Sequence, residues 1–402
     1  MVRAVALGAI TLIAAALIGS DALGRSLQRR LPQVAAGLPT ANGSDLSAKA
    51  SFKLAPGMKE GITSPIELAR AEKDEIWRLS QAALRKEPLN SDALRNLSLL
   101  ANDAGRLADA QRLMFASAEI TKRNLTANLW LALHYAKLGD TDKSLAMYDQ
   151  GLRTSGQARE LVIPAMAQSL RSDQMVAPIT RLLLRRPPWL ADFWASAPRF
   201  VESHRNLAKI RLELAKRNIP IDQASDRELI AALAGTRHFA EAEELLALID
   251  SDGLAHRGAV RNAEFEHQPE YLPFDWQPKF DASLTAELDS RAGVLRIAVF
   301  SDGSGPAASQ LVALPRSAYV LEARARDWTA AQSDQVYFKL RCAEHAASAE
   351  SKPIPVRRAS MSVLISKLSP ACTYHWLTVF AAPSRGEGDR TVELDRVTLV
   401  AH

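Results

Sequence analysis

The chain has 402 residues, of which 47% are hydrophobic and 24% charged, and it carries a formal net charge of +5 at pH 7. This composition excludes wholesale disorder, and the length suggests roughly two or three domains. One apolar stretch, at the N-terminus, could insert into a bilayer. The two cysteines cannot build a disulfide-rich scaffold or a four-thiolate metal site. Basic residues exceed acidic ones mainly in residues 1–60, which disfavours a basic nucleic-acid-binding surface on a folded domain.

The first segment, residues 1–22, has the pattern of a signal peptide or membrane anchor. An uninterrupted apolar run from Ala4 to Gly19 follows Arg3. It is longer than a typical signal core but shorter than a full span of about 20 residues. Small residues around Ala22 fit signal-peptidase cleavage, so a cleaved signal peptide and a short anchor in the inner membrane remain equally open. Both predict a periplasmic location for the rest of the chain, tethered or released.

Residues 23–64 contain scattered proline, glycine, serine and asparagine without a sustained apolar period. Such a composition is typical of a linker between a membrane segment and a folded domain. We therefore expect this stretch to hold the folded part away from the membrane.

A repeat of 34 residues organises the next region, as Gly105 and Gly139 show. Each glycine lies between two segments of helical periodicity, where a tight turn requires a positive φ. The pattern resembles the tetratricopeptide repeat, a helix-turn-helix unit of about 34 residues. The resemblance predicts an α-helical solenoid over residues 65–257, because an isolated helix pair cannot bury its apolar face.

Such a solenoid presents a concave groove to a peptide or a partner helix. The repeat pattern predicts that this groove is lined by Arg95, Asn102 and Lys137. The alternative is that these are ordinary solvated positions of the helices. The tryptophans of the region are expected to pack in the core or between repeats; they are Trp77, Trp130, Trp189 and Trp194.

After residue 258 the apolar pattern changes from helical to alternating, which is typical of strands with one wet face. The predicted strands are Leu284–Leu288, Val294–Phe300, Gln310–Leu314, Tyr319–Arg326, Val336–Cys342, Met361–Leu368, Tyr374–Ala381 and Val392–Val400. Short strands separated by turns predict an all-β sandwich or jelly roll over residues 258–402. The whole chain is therefore expected to be an α+β multidomain protein.

The opening of this β region contains Asn262, a Phe-Glu pair at Phe265 and the stretch Pro273–Trp276, and its last strand covers Val392–Leu399. These motifs, in this order, resemble jelly-roll carbohydrate-binding modules. The resemblance implies that exposed aromatic rings stack on sugars, with Tyr271, Phe274, Trp276 and Trp328 as the candidates. Trp376 is assigned to the core because it lies in an apolar strand. The combination with a repeat array also resembles proteins that accompany bacterial exopolysaccharide synthesis and export.

The same resemblance implies a structural calcium ion held by Glu266 and Asp395, with no other cofactor. Carboxylate oxygens suit calcium, but Arg396 stands where the module family commonly has a second acid. Cys342 and Cys372 each lie beside a strand edge and are expected to form a disulfide in an oxidising compartment. Two buried thiols are the alternative.

Catalytic motifs are missing from the sequence, which contains no nucleophile elbow, phosphate-binding loop or His-Glu-x-x-His. Glu264 and Glu266 lie on one short element, whereas glycosidases place two carboxylates across a cleft. We therefore expect a non-enzymatic envelope scaffold that binds no nucleic acid. Its helical array would bind an envelope protein, and its β-domain would bind glycan or a subunit in exopolysaccharide synthesis or export. The alternatives are a membrane-tethered assembly factor for another envelope system and a weak glycan hydrolase.

Overall fold

The computed structural model describes residues 26–38, 40–58, 64–250, 259–300, 303–315, 318–329, 332–345, 351–366, 368, 371–382 and 390–402. Helices come first and two antiparallel sheets follow, so the predicted order of a helical array and an all-β sandwich is confirmed. The predicted signal or anchor segment, residues 1–22, lies outside the described residues. Within the described ranges, every helix is too short or too polar to cross a membrane.

Among the described residues, the helices of four residues or more are α1 Pro32–Ala35, α2 Gly43–Leu54, α3 Arg70–Lys86, α4 Ser91–Asp103, α5 Leu107–Ile120, α6 Leu125–Lys137, α7 Thr141–Thr154, α8 Gly156–Ser169, α9 Val176–Leu183, α10 Leu190–Ser196, α11 His204–Lys216, α12 Gln223–Gly235 and α13 Phe239–Ile249. They group into two compact units. One unit contains α1–α7 and α9, and the other contains α11–α13 together with all the strands.

The turns of the helix pairs α4–α5 and α6–α7 are equivalent. Gly105 and Gly139 adopt φ values of 73° and 76°, which L-residues with a side chain rarely adopt. A side chain at either glycine would meet open space, so the backbone angle alone requires glycine. After each glycine the next N–H bonds back to the carbonyl of Ala101 or Tyr135, which closes the helix in the same way in both pairs. The repeat predicted from the spacing is thus two copies of one local structure.

Part of the expected linker is folded, because α2 lies within residues 23–64. Asn42 caps this helix by accepting a hydrogen bond from the Asp45 N–H, and the Asp45 carboxylate accepts one from the Asn42 N–H. Ala50 and Leu54 are buried in the same apolar cluster as Ile76 of α3. The small residues that look like linker composition therefore let α2 pack closely on its neighbours.

The strands are β1 Gln277–Pro278, β2 Leu284–Asp289, β3 Val294–Val299, β4 Gly305–Ala313, β5 Ala318–Arg326, β6 Val336–Cys342, β7 Ile354–Pro355, β8 Ser360–Ser366, β9 Tyr374–Ala381 and β10 Arg390–Ala401. Sheet A has the order β1-β4-β9-β6-β7, and sheet B has the order β2-β3-β10-β5-β8. Every pairing between these strands is antiparallel. The inner faces of both sheets supply one continuous core, in which Trp276 and Phe338 are fully buried.

Candidate functional site

The outer face of sheet A, the side turned away from the sandwich core, combines aromatic and polar side chains. Buried and half-buried residues alternate along β6 and β9, so every second residue of each strand points outward. The register sets these outward residues opposite one another in three rungs: Tyr337 with Phe380, Lys339 with Thr378, and Arg341 with Trp376. On the other side of β9, Ser309 and Leu311 of β4 extend two of these rungs opposite Thr378 and Trp376. We call this surface the outer face.

The first rung is a pair of stacked rings. The centroids of Tyr337 and Phe380 are 5.2 Å apart and their planes differ by 5°. The Lys339 ammonium, one rung away, lies 5.1 Å from the Phe380 centroid and 5.8 Å from the Tyr337 centroid. A cation at this range is attracted to the ring quadrupole. The rung therefore offers an apolar platform with a positive charge beside it.

The third rung contains Trp376, which the sequence assigned to the core. That assignment is wrong, because Trp376 is half-buried and points outward while its neighbours Leu377 and His375 point inward. The exposed Arg341 lies beside it on β6. Phe380 is four positions after Trp376, so the two aromatic platforms are about 13 Å apart along the strand. The polar side chains of Lys339, Thr378 and Ser309 lie between them.

One end of the outer face is held by α13, which belongs to the same unit as the sheets. The Tyr374 hydroxyl donates a hydrogen bond of 2.7 Å to Glu243 Oε2, and its ring lies 5.3 Å from that of Phe239. Burial, aided by the Glu243 carboxylate, raises the pKa of Tyr374 far above its ordinary value. The hydroxyl therefore stays protonated, and this contact fixes the start of β9.

A disulfide closes the same end of the outer face. Cys342 at the end of β6 is bonded to Cys372, which precedes β9. Glu344, just after β6, accepts a hydrogen bond of 2.8 Å from the Thr373 N–H. These links tie β6 to the start of β9, so the rung of Arg341 and Trp376 is built on a braced pair of strands.

The four aromatic residues predicted to stack on sugars are not on this face. Trp276 is 0% exposed and packs on Phe265, with the ring centroids 5.7 Å apart. Tyr271 and Phe274 are 6% and 4% exposed, and Trp328 is half-buried against the sandwich core. Phe274 lines a cavity of about 380 Å³ beside α13, but its ring is otherwise enclosed. The prediction that these residues form an exposed ring platform is wrong for Tyr271, Phe274 and Trp276.

The motif around Asp275 has a structural explanation. Its buried carboxylate accepts a hydrogen bond of 3.0 Å from Arg261 Nε and two more from the N–H groups of Glu270 and Tyr271. Arg261 also pairs with Asp250 at 2.7 Å, and these contacts raise the pKa of the guanidinium against the opposing effect of burial. The conspicuous Phe-Asp-Trp sequence thus anchors the loop before β1 and fills the core.

The carboxylates predicted to hold calcium do not fit that ion. Asp395 lies where the register of β10 shifts, and its Oδ1 accepts a 2.7 Å hydrogen bond from Arg324 Nε. That bond raises the pKa of Arg324. Arg396 pairs with Glu264, and Glu266 is exposed. Guanidinium groups therefore already neutralise Asp395 and its neighbour Glu264, whereas the second predicted ligand, Glu266, lies exposed. Among the described residues, the one cluster of three metal-ligating groups is Cys342, Glu344 and Cys372, whose sulfurs are bonded to each other.

We expect calcium to leave the thermal stability of the protein unchanged. Because Arg324 and Arg396 pair with Asp395 and Glu264, an added cation would have to displace a guanidinium rather than fill a free site. Thermal unfolding followed by circular dichroism should give the same midpoint with a chelator as with millimolar calcium. A calcium-dependent rise of several degrees in the midpoint would contradict this expectation.

The predicted groove residues have different surroundings. Arg95 is tied to its own array, since it pairs with Asp92 at 2.8 Å and donates to Asn96 and to Ser51 of α2. It is therefore not available in an open groove, and the prediction is wrong for this residue because α2 packs where a linker was expected. Asn102 is half-buried near the end of α4, and Lys137 is exposed at the end of α6.

No family model and no curated protein sequence matches the chain. Among solved structures, TmCBM61 in complex with beta-1,4-galactotriose has 17% sequence identity and a TM-score of 0.25, covering 37% of this chain and 100% of that chain. A monomeric IFIT1 mutant with m7Gppp-AAAA has 14% identity and a TM-score of 0.28, covering 61% of this chain and 56% of that chain. The chain thus spans little more than half of the IFIT1 structure. Both TM-scores are low, so the ligand class has to be inferred from the chain's own residues.

Proposed function

We propose that the chain is a non-enzymatic envelope scaffold whose outer face binds glycan and whose helical array binds an envelope protein. The observation that supports glycan binding is the ladder of Tyr337, Phe380 and Trp376 on one side of a braced sheet. The C–H faces of a sugar ring pack against aromatic rings, and its hydroxyls need hydrogen-bonding groups between them. The rung of Lys339, Thr378 and Ser309 supplies such groups between the two platforms.

Two further features support a location outside the cytoplasm. The disulfide between Cys342 and Cys372 is a kind of bond that persists in oxidising compartments. The apolar run of residues 4–19 has the pattern of a signal peptide or anchor. We therefore propose that the folded part lies in the periplasm and serves exopolysaccharide synthesis or export.

Replacing Trp376 with alanine is expected to weaken binding of the full chain to polysaccharide at least about tenfold, because truncating an aromatic anchor residue removes more than about 1.4 kcal/mol of binding free energy. Affinity electrophoresis against a panel of soluble polysaccharides measures the change. Phe280→Ala is the matched control, since Phe280 is 84% exposed and lies outside the outer face. It should bind as the unmodified chain does.

Equal retardation of both variants, or no retardation of the unmodified chain by any polysaccharide, would rule out the outer face as a glycan site. The same incubations report on catalysis. A scaffold releases no reducing ends from the polysaccharide, whereas a hydrolase does.

The helical array is proposed to bind a protein because stacked helix pairs of this kind present extended surfaces. Lys137 is exposed at the end of α6 and is a suitable position for a photocrosslinking residue. Crosslinking in a polysaccharide-producing host should capture an envelope protein. Capture of cytoplasmic proteins alone would contradict this part of the proposal.

A further inference from the structure

The cations of the outer face are positioned to select among glycans. Arg341 is exposed beside Trp376, and Lys339 stands one rung away, beside Phe380 and Tyr337. Alternate residues of one strand are about 6.7 Å apart, so the two cationic side chains start at neighbouring positions on β6. Each therefore lies beside an aromatic platform rather than on a separate surface.

Among the described residues, the outward positions of β4 and β9 supply no carboxylate opposite these cations. On β4 these positions are Ser309, Leu311 and Ala313, and on β9 they are Trp376, Thr378 and Phe380. Two acids at the rim, Glu243 and Glu344, are engaged in hydrogen bonds of their own. Glu243 accepts the Tyr374 hydroxyl, and Glu344 accepts the Thr373 N–H. Within the described residues Arg341 has no ion-pair partner, so its guanidinium can receive a ligand carboxylate.

We propose that the outer face recognises acidic glycans, with Arg341 pairing to the carboxylate of a uronic acid whose ring packs on Trp376. This proposal rests on the proposed glycan binding and names its substrate class. A planar guanidinium matches a carboxylate with two parallel hydrogen bonds, and such charge-assisted bonds are stronger than neutral ones. Neutral sugars would keep the stacking but lose this pair.

A single-stranded nucleic acid also combines stacking with negative charge, but the outer face suits it less well. Nucleic-acid channels follow the phosphate backbone with a continuous positive groove, whereas the cations described on this face are two neighbouring side chains of one strand, Lys339 and Arg341. The disulfide at the end of β6 also favours an oxidising compartment outside the cytoplasm.

Polygalacturonate and its carboxyl-reduced form are the matched probes, because they share one backbone and linkage and differ in charge. The full chain should bind polygalacturonate at least about tenfold more tightly than the reduced polymer in isothermal titration. Arg341→Gln should remove most of that preference by lowering the affinity for polygalacturonate towards that for the reduced polymer. The preference of Arg341→Lys for polygalacturonate should lie between that of the unmodified chain and that of Arg341→Gln, because lysine keeps the charge but not the paired hydrogen bonds. Arg291→Gln, an exposed cation in the turn between β2 and β3, is the control and should keep the full preference.

The outcomes separate the two proposals. Equal affinity for both polymers, or a preference that survives Arg341→Gln, would overturn the acidic-glycan proposal and leave glycan binding intact. Binding of neither polymer, together with silence on other glycans, would overturn both. Tighter binding of single-stranded DNA than of polygalacturonate would overturn the acidic-glycan proposal and assign the outer face to another class of ligand.

Discussion

Replacing Trp276 with alanine is expected to lower the free energy of unfolding of the β-domain by about 3–5 kcal/mol. Trp276 is fully enclosed, and its ring packs on Phe265 in the common core of the two sheets. Alanine would leave a large cavity, since the backbone on either side is fixed by the contacts of Asp275 and by the pairing of Gln277 with Ser309. Chemical denaturation followed by tryptophan fluorescence and far-UV circular dichroism measures the loss.

Trp328→Ala is the matched control for this substitution. Trp328 is only half-buried at the margin of the same core, so its truncation should cost much less. If Trp276→Ala unfolds at the same denaturant concentration as the unmodified chain, Trp276 is not a core residue and its earlier assignment as a sugar platform regains support.

Replacing Asp226 with alanine is expected to destabilise the array of α11–α13 by about 3–5 kcal/mol. Asp226 of α12 accepts two hydrogen bonds from Arg211 of α11, at 2.6 Å from Nε and 2.8 Å from the terminal nitrogen. Both side chains are almost fully buried. The substitution would leave the Arg211 guanidinium buried without its counter-charge. The free-energy cost of that unpaired charge exceeds the net stabilisation that the intact pair provides.

Two variants separate this effect from a general loss of charge. The double variant Arg211→Met with Asp226→Leu should recover most of the stability, because apolar residues of similar volume replace the pair. Asp109→Ala removes a solvent-exposed pair with Arg112 and should change the free energy of unfolding by less than about 1 kcal/mol. A double variant as unstable as the single one would show that Arg211 and Asp226 have separate roles.

Much of the fold follows from local patterns in the sequence. The spacing of Gly105 and Gly139 predicts the paired helices because both glycines are required by the same turn. The strands Val336–Cys342 and Tyr374–Ala381 are observed with the bounds that alternation predicts, since one buried face suffices to mark a strand. The helix α2 escaped prediction because its small buried residues lack the large apolar period that marks most helices.

The candidate site was harder to predict, and the reason is physical. Alternation shows which residues share a face of a strand, but not which strands become neighbours. β6 and β9 pair although β7 and β8 lie between them in the chain, so the rung of Tyr337 and Phe380 depends on long-range register. Trp376 was assigned to the core because the sequence of a largely apolar strand does not show which of its two faces is exposed to solvent. A signal was present in Tyr337, Lys339 and Arg341, which repeat at every second residue of one strand.

The position of β10 has a consequence for how the β-domain is made. This strand, Arg390–Ala401, lies in the middle of sheet B between β3 and β5, although it is the last strand in the described chain. A nascent chain in which these residues have not yet been synthesised therefore has two separate parts of sheet B, β2-β3 and β5-β8. The edges of β3 and β5 that pair with β10 are then unpaired. Sheet B cannot be completed until residues 390–401 have been synthesised, and a truncation before residue 390 would expose the edges of β3 and β5 and favour aggregation.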